Sequence, residues 1–260
     1  MKISVLGSGS KGNATFIDVN GTKILIDAGF SCKKIEEKLV SIGENIENIS
    51  ALLLTHEHAD HIAGAGIISR KYEIPIYITR ESFLICEQKL GKITNDKISF
   101  IDKHHFIIDN KIKITPFDVM HDAVRTVGFK LEDENAKKIS ISTDIGFINN
   151  VVREHFKDVD AMIIESNYDF NMLMNSDYPW GLKDRIKSRN GHLSNNEAAK
   201  FIKEMSSDKL KKVFLAHISK DSNSIHCIKN AFIEEFARAT KRPSIEITNQ
   251  DVASKIFEIK

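Results

Sequence analysis

His56-Glu57-His58-Ala59-Asp60-His61 sets three imidazoles and a carboxylate within six residues, directly after the apolar run Ile49–Leu54. A continuous run of that length reads as a strand buried on both faces. In extended backbone, positions 56 and 58 point the same way and can chelate one cation. Asp60 and His61 fall at the entry to a helix predicted to run to Tyr72, where they can turn toward a second cation. Imidazole and carboxylate together suit zinc, manganese or iron. With 10 histidines in 260 residues, a chance match to H-x-H-x-D-H is a roughly one-in-a-thousand event, so the motif reads as a metal site.

Working outward, Ile3–Leu6, Ala14–Val19 and Lys23–Ile26 are predicted strands. Asn20-Gly21 supplies a hairpin turn between the last two. Ser31 caps a helix predicted to reach Ile42, with Gly43 ending it. Downstream, strands are expected at Ile76–Ile78, Ile98–Ile101, Ile112–Phe117, Thr126–Leu131, Lys138–Ser142, Ala161–Glu165 and Val213–Ala216. Helices are expected at Ser82–Leu90, Trp180–Ser188, Asn195–Met205 and Ser224–Thr240. Early strands followed by alternating strands and helices predict a layered α/β (α+β) fold, in one domain spanning residues 1–260. Asp27, His56, Asp144 and His217 each stand just after an apolar strand, and His121 follows one by a few residues. Strand ends along one sheet edge are where sites form. His121, Asp144 and His217 are thus the candidates to complete the coordination, with Asp144 able to bridge two ions.

Composition narrows the setting. Lys+Arg 37 against Asp+Glu 36 gives a net charge of +1, which predicts no global attraction to nucleic acid but leaves room for a local basic groove. Cys32, Cys86 and Cys227 are odd in number and form no C-x-x-C pair, so a reducing, cytoplasmic setting is expected. The opening apolar run is too short for a secretory signal, and no run of 18 apolar residues predicts a membrane span.

In this order, Asp27, His56-x-His58-x-Asp60-His61, His121, Asp144 and His217 resemble the ordered motifs of the metallo-β-lactamase superfamily, across residues 3 to about 220. The resemblance implies a four-layer αββα sandwich with two mixed sheets and two divalent ions, zinc or manganese. It implies that His56, His58 and His121 hold one ion, that Asp60, His61 and His217 hold the other, that Asp144 bridges and that Asp27 orients a ligand or bound water. The segments Leu6–Ala14, Glu165-Ser166-Asn167-Tyr168-Asp169, Gly191-His192-Leu193-Ser194-Asn195 and Leu215-Ala216-His217-Ile218-Ser219 look like the YycJ/WalJ (VicX) group, whose members are described as DNA exonucleases. That implies a phosphodiesterase acting on DNA through a hydroxide held between the ions, with Asp60, His192 and Asp27 as catalytic residues.

The substrate contacts expected are Ser8, Ser10 and Asn13 in the glycine-rich loop, Asn167, and His192 with Ser194. Ser194 reads as a helix N-cap with Glu197 completing a capping box, and a helix start attracts phosphate. Each has a plainer reading as a turn or a cap. Lys183, Arg185, Lys187 and Arg189, with Lys200 and Lys203, form a basic stretch able to track a nucleic-acid backbone or to serve as a solvated face. Trp180, Tyr178 and Tyr168 can stack on bases or fill the interior. His104, His105, His155 and His226 are expected to be structural or exposed. Two other functions remain open at this point: hydrolysis of a small cyclic phosphodiester, thioester or lactone, and metal-stabilised DNA binding without catalysis. The native metal, strand preference and oligomeric state are not encoded in these patterns.

Overall fold

The strand before the histidine cluster is covered on both faces. Ala51 and Leu53 enter one apolar cluster, and Leu52 and Leu54 enter another. A strand buried on both sides needs a layer over each face, and that requirement sets the architecture. The computed structural model describes residues 1–102 and 104–259. Along the chain the first strands are β1 (Lys2–Gly7), β2 (Ala14–Val19), β3 (Thr22–Ile26), β4 (Ile49–Leu53), β5 (Ile76–Ile78) and β6 (Ile98–Phe100). Then come β7 (Phe106–Ile108), β8 (Ile112–Val119), β9 (Thr126–Asp133), β10 (Lys138–Ser142), β11 (Ala161–Glu165), β12 (Lys212–Ala216), β13 (Ser244–Ile247) and β14 (Phe257–Glu258).

They form two mixed sheets, ordered β14-β1-β2-β3-β4-β5-β6 and β13-β12-β11-β10-β9-β8-β7. Alternate residues of both sheets, among them Ile3, Ile24, Leu53, Phe129, Ile141 and Phe214, meet in one central core. Outside the first sheet lie helices α1 (Cys32–Ser41), α2 (Ala59–Ile62), α3 (Ala65–Tyr72) and α4 (Arg80–Leu90). The helices that follow are α5 (Asn150–Phe156), α6 (Phe170–Asn175), α7 (Trp180–Ile186), α8 (Asn195–Met205) and α9 (Ile225–Phe236). Ile35, Leu39, Ile68 and Leu90 pack helices on the first sheet, and Val152, Phe156, Phe201, Ile202 and Phe232 pack helices on the second. The result is the four-layer αββα sandwich. No helix of the described residues is long and apolar enough to cross a membrane.

Sheet register explains why distant residues converge. In the parallel pairings Ile26 lies beside Leu53, Ser142 beside Ile164, and Glu165 beside Ala216. The next residues along the chain therefore leave the sheets at nearly the same level. Asp27, Asp144 and His217 do so with φ of 61°, 56° and 52°. This left-handed conformation is one that Asp and His tolerate better than most side chains, and here it turns the chain sharply at the strand end.

Several elements differ from expectation. The helix predicted from Asp60 to Tyr72 is broken at Ala63-Gly64. Gly64 N–H donates to Ala28 O at 2.8 Å, and a Cβ on Gly64 would stand 2.3 Å from Phe30 O. The break thus lets α2 stay close to the loop after β3. β8 and β9 run past their predicted ends, α7 ends at Ile186 and α9 at Phe236. The hairpin at Asn20-Gly21 forms as expected, with φ of 52° and 88°. Cys32 and Cys86 are buried, which raises each thiol to about 11; for Cys32 the neighbouring Glu36 adds to the effect. Cys227 is half-buried. Because the thiolate is the reactive form, a disulfide reagent at neutral pH should label Cys227 in the native protein and all three cysteines only after unfolding. Rapid native labelling of Cys32 would contradict this packing.

Candidate metal centre

Thr55 and Asp27 build the floor of the site. Asp27 Oδ1 accepts from Thr55 N–H at 2.9 Å, and Asp27 Oδ2 lies 2.8 Å from His61 Nδ1. Thr55 Oγ1 is 3.0 Å from His56 Nδ1. With their Nδ1 atoms engaged, both rings present Nε2 to the interior of the site, the usual way a partner fixes a ligating histidine. Gly29 brings the Asp60 backbone in close: a Cβ at Gly29 would stand 1.6 Å from Asp60 O. Gly29→Ala should therefore displace the Asp60-His61 turn, costing about 2 kcal/mol or more through overpacking and weakening metal retention. Thermal unfolding and metal analysis of that variant check it, and a wild-type profile would contradict it.

Around this floor the structure brings together all seven predicted ligands. His56, His58 and His121 offer ligand atoms, all ring nitrogens, within 4.8 Å of one another; Asp60, His61 and His217 do so with nitrogens and a carboxylate oxygen, as do His56, His61 and Asp144. Asp144 lies between the two histidine sets, its Oδ2 3.1 Å from His61 Nε2 and its Oδ1 3.6 Å from His121 Nε2 and 3.5 Å from His217 Nδ1. Burial pushes His56 and His121 toward the neutral ring. Burial opposes charge on His61 and His217 as well, but Asp27, Asp60, Asp144 and Glu165 around them raise both well above the usual histidine range. The carboxyls of Asp60 and Asp144 are held low by these histidines despite their burial.

Three buried atoms test whether a cation fits. Among the described residues, His56 Nε2, Asp144 Oδ2 and His217 Nε2 make no hydrogen bond, the approach of Asp144 Oδ2 to His61 Nε2 being an ion-pair contact alone. A buried polar atom without a partner is costly, and three converging from separate strands, all of ligand type, fit a divalent ion. His104, His105, His155 and His226 take no part in these groups, and His226 Nε2 lies 3.0 Å from Asn230 Nδ2.

The expected substrate contacts are placed as follows. Ser8 is buried; its hydroxyl accepts from His217 N–H at 2.7 Å and lies 2.7 Å from Asn13 Oδ1. Asn13 Nδ2 is 3.3 Å from Asp60 Oδ2 and 3.1 Å from His61 Nε2. Asn167 Nδ2 donates to His217 O at 2.8 Å. Ser10 is exposed. Ser194 caps α8 in a full capping box with Glu197. His192 stands beside the centre, its ring 5.2 Å from that of His121 and 5.1 Å from that of His217.

Sequence reasoning passed over Glu165. Its fully buried carboxylate accepts from His217 Nδ1 at 2.6 Å, His192 Nδ1 at 2.9 Å, Ile145 N–H at 2.9 Å and Leu193 N–H at 3.0 Å. Burial would raise this carboxyl, yet His192 and His217 lower it to about 2. The signal was present, since Glu165 ends an apolar strand just as Asp144 follows one. Glu57, inside the motif, was also missed. It is buried and accepts from Val124 N–H at 2.8 Å and Ser82 Oγ at 3.1 Å, tying the motif loop to the segment after His121.

With the site in view, the family can be stated. A model of the β-lactamase superfamily domain matches residues 22–218. This chain belongs to the β-lactamase superfamily. Within it, the chain is 34% identical over 223 residues, 86% of this chain and 84% of the relative, to exodeoxyribonuclease YycJ of Bacillus anthracis. It is 32% identical over 264 residues, 99% of this chain and 98% of the relative, to exodeoxyribonuclease WalJ of Streptococcus pneumoniae. It falls in the YycJ/WalJ group of the superfamily. The metallo-β-lactamase fold protein YhfI from Bacillus subtilis has the same fold, at a TM-score of 0.71 and 18% identity over 97% of this chain and 98% of that one. The protein is a metal-dependent hydrolase of this superfamily, and its histidine-aspartate cluster has the donor set to hold divalent metal.

Proposed function

We propose that the protein is an exonuclease that hydrolyses the phosphodiester bonds of DNA with two divalent ions, zinc or manganese. The observation that carries this reading is the convergence of seven ligand-type side chains, three of them with buried unpartnered atoms, in a chain of the YycJ/WalJ group. In this reading His56, His58 and His121 would hold one ion, Asp60, His61 and His217 the other, and Asp144 would be shared. Divalent ions bound there would supply Lewis acidity, lowering the pKa of water and offsetting the negative charge that builds on the phosphoryl oxygens.

The chain's own residues set the geometry for the reaction. Asp27 and Thr55 fix the His61 and His56 rings. Ser8 and Asn13 tie the His217 backbone to Asp60, which makes them positioning residues rather than substrate contacts. Glu165 takes the Nδ1–H of His192 and so fixes which edge of that ring faces outward. His192 is held by Glu165 at Nδ1 and turns its other ring nitrogen to the departing oxygen, the position from which a general acid would give the leaving group its proton. Asn167 holds the His217 carbonyl and keeps that strand end in place.

The test is digestion of end-labelled DNA by metal-stripped protein, with manganese or zinc added back, alongside RNA, bis-p-nitrophenyl phosphate and nitrocefin. Stepwise loss of terminal nucleotides from DNA, restored by one of these metals and far faster than small-ester turnover, is the expected result. Hydrolysis confined to small esters would overturn the exonuclease reading, and metal-dependent DNA binding without cleavage would overturn the enzymatic one.

A further inference from the structure

The basic stretch before His192 is mostly spoken for. Lys183 Nζ donates to Met174 O at 2.8 Å and sits 5.1 Å from the Trp180 ring centre. Arg185 is bound to Asp122, and Lys187 Nζ lies 3.0 Å from Asp184 Oδ1. Arg189 differs. It is exposed, and among the described residues no carboxylate is in ion-pair contact with it; instead its guanidinium lies 4.0 Å from the centre of the Phe147 ring. Phe147 is itself 38% exposed. A planar cation over a solvent-facing aromatic ring offers charge for a phosphate and flat surfaces for a base.

Backbone contacts tie this pair to the segments that carry the candidate metal ligands. Phe147 follows Asp144 by three residues and bridges Met120, the neighbour of His121. Gly146 N–H donates to Met120 O at 2.8 Å, and Gly146 packs so tightly on the Arg189 backbone that a Cβ would stand 2.2 Å from Arg189 O. Gly191 O lies 3.1 Å from His121 Nδ1. Phe147 is thus tied to Met120 and the Arg189 backbone to Gly146, within the segments that carry His121, Asp144 and His192. Phe147 also lines a cavity of about 230 Å³ with Leu193, Phe201 and Lys200. Of the acids on that wall, Glu197 is used in the α8 capping box and Glu204 binds Arg153. Lys200, exposed and without a carboxylate in ion-pair contact among the described residues, is the second available cation.

We infer that Arg189 and Phe147 form a nucleotide subsite: Arg189 holds the phosphodiester next to the bond being cut, and Phe147 stacks the base beside it. This rests on the nucleic-acid reading above. A thioester or lactone would need neither group.

The test compares wild-type protein with R189A, F147A and K187A on end-labelled DNA over a range of salt, and on bis-p-nitrophenyl phosphate. R189A and F147A should each raise the KM for DNA about five- to tenfold with kcat within about twofold. R189A should also reduce the salt dependence of log(kcat/KM) by about one unit of slope. K187A should change KM less than about twofold, because its charge is already paired. The effect of R189A and F147A on the small diester should be several-fold smaller than on DNA. The inference is overturned if R189A and F147A match K187A on DNA, or if they harm both substrates equally, which would mean a disturbed metal centre. If wild-type protein cleaves the small diester and no nucleic acid, the exonuclease reading itself has failed, a result distinct from either.

Discussion

His58→Ala is expected to lower hydrolysis about a thousandfold or more, since the ions carry most of the electrostatic work at such a site, while the fold is kept. His58 precedes α2 as its N-cap residue but makes no capping hydrogen bond with its side chain, and it is half-buried. Its loss therefore costs little folding energy. The centre loses more: His58 stacks edgewise on His56 and His121, with ring centres 4.6 and 5.2 Å away, and that ion would keep two imidazoles and its share of Asp144. Activity, metal content and unfolding midpoint, measured together, decide the matter. Full activity in this variant would remove the basis for assigning the ligands.

Glu165→Gln should strike both stability and catalysis. Four donors converge on a carboxylate with no solvent exposure. The amide is the same size but turns an N–H toward one of them and removes the charge that His192 and His217 face. Breaking a buried charged pair on one side costs about 3 kcal/mol. Disturbing the partner of a ligating histidine lowers metal affinity or activity about 10- to 100-fold. The two readouts are a denaturant melt and the pH profile of hydrolysis, measured with the metal content of the variant. A variant with the parental melt and the parental profile would show that Glu165 neither supports the fold nor orients the two rings.

Much of this site could be read before any coordinates. H-x-H-x-D-H is local, so its residues needed no fold to be connected. Asp144 and His217 were found because a polar ligand just after an apolar strand is a short-range signal. Glu165 carried nearly the same signal but occupied the last position of its strand, and nothing nearby in sequence reveals that His192 and His217 come to it. The resemblance to an αββα family then supplied the pairing of sheets that strand patterns alone leave open.

What escaped had weak or distant causes. β14 is two residues long and pairs with β1 from the far end of the chain, Phe257 lying beside Ile3. β7 and β13 are short sheet-edge strands, and β13 is half exposed, so alternation has little to act on. α5 and α6 are seven and six residues, too brief for a clear helical period. The break at Gly64 depends on contact with Ala28 and Phe30, which only the folded chain provides. Charge was similarly misleading: Lys183, Arg185 and Lys187 look free in sequence, yet each is engaged by a neighbour in space.

The most direct test of the account is the metal content of the purified chain after exhaustive dialysis, read by elemental mass spectrometry in step with hydrolysis. Two ions per chain, lost together with activity in Asp144→Ala, is the result the account predicts. A chain free of metal that still cleaves its substrate would contradict it.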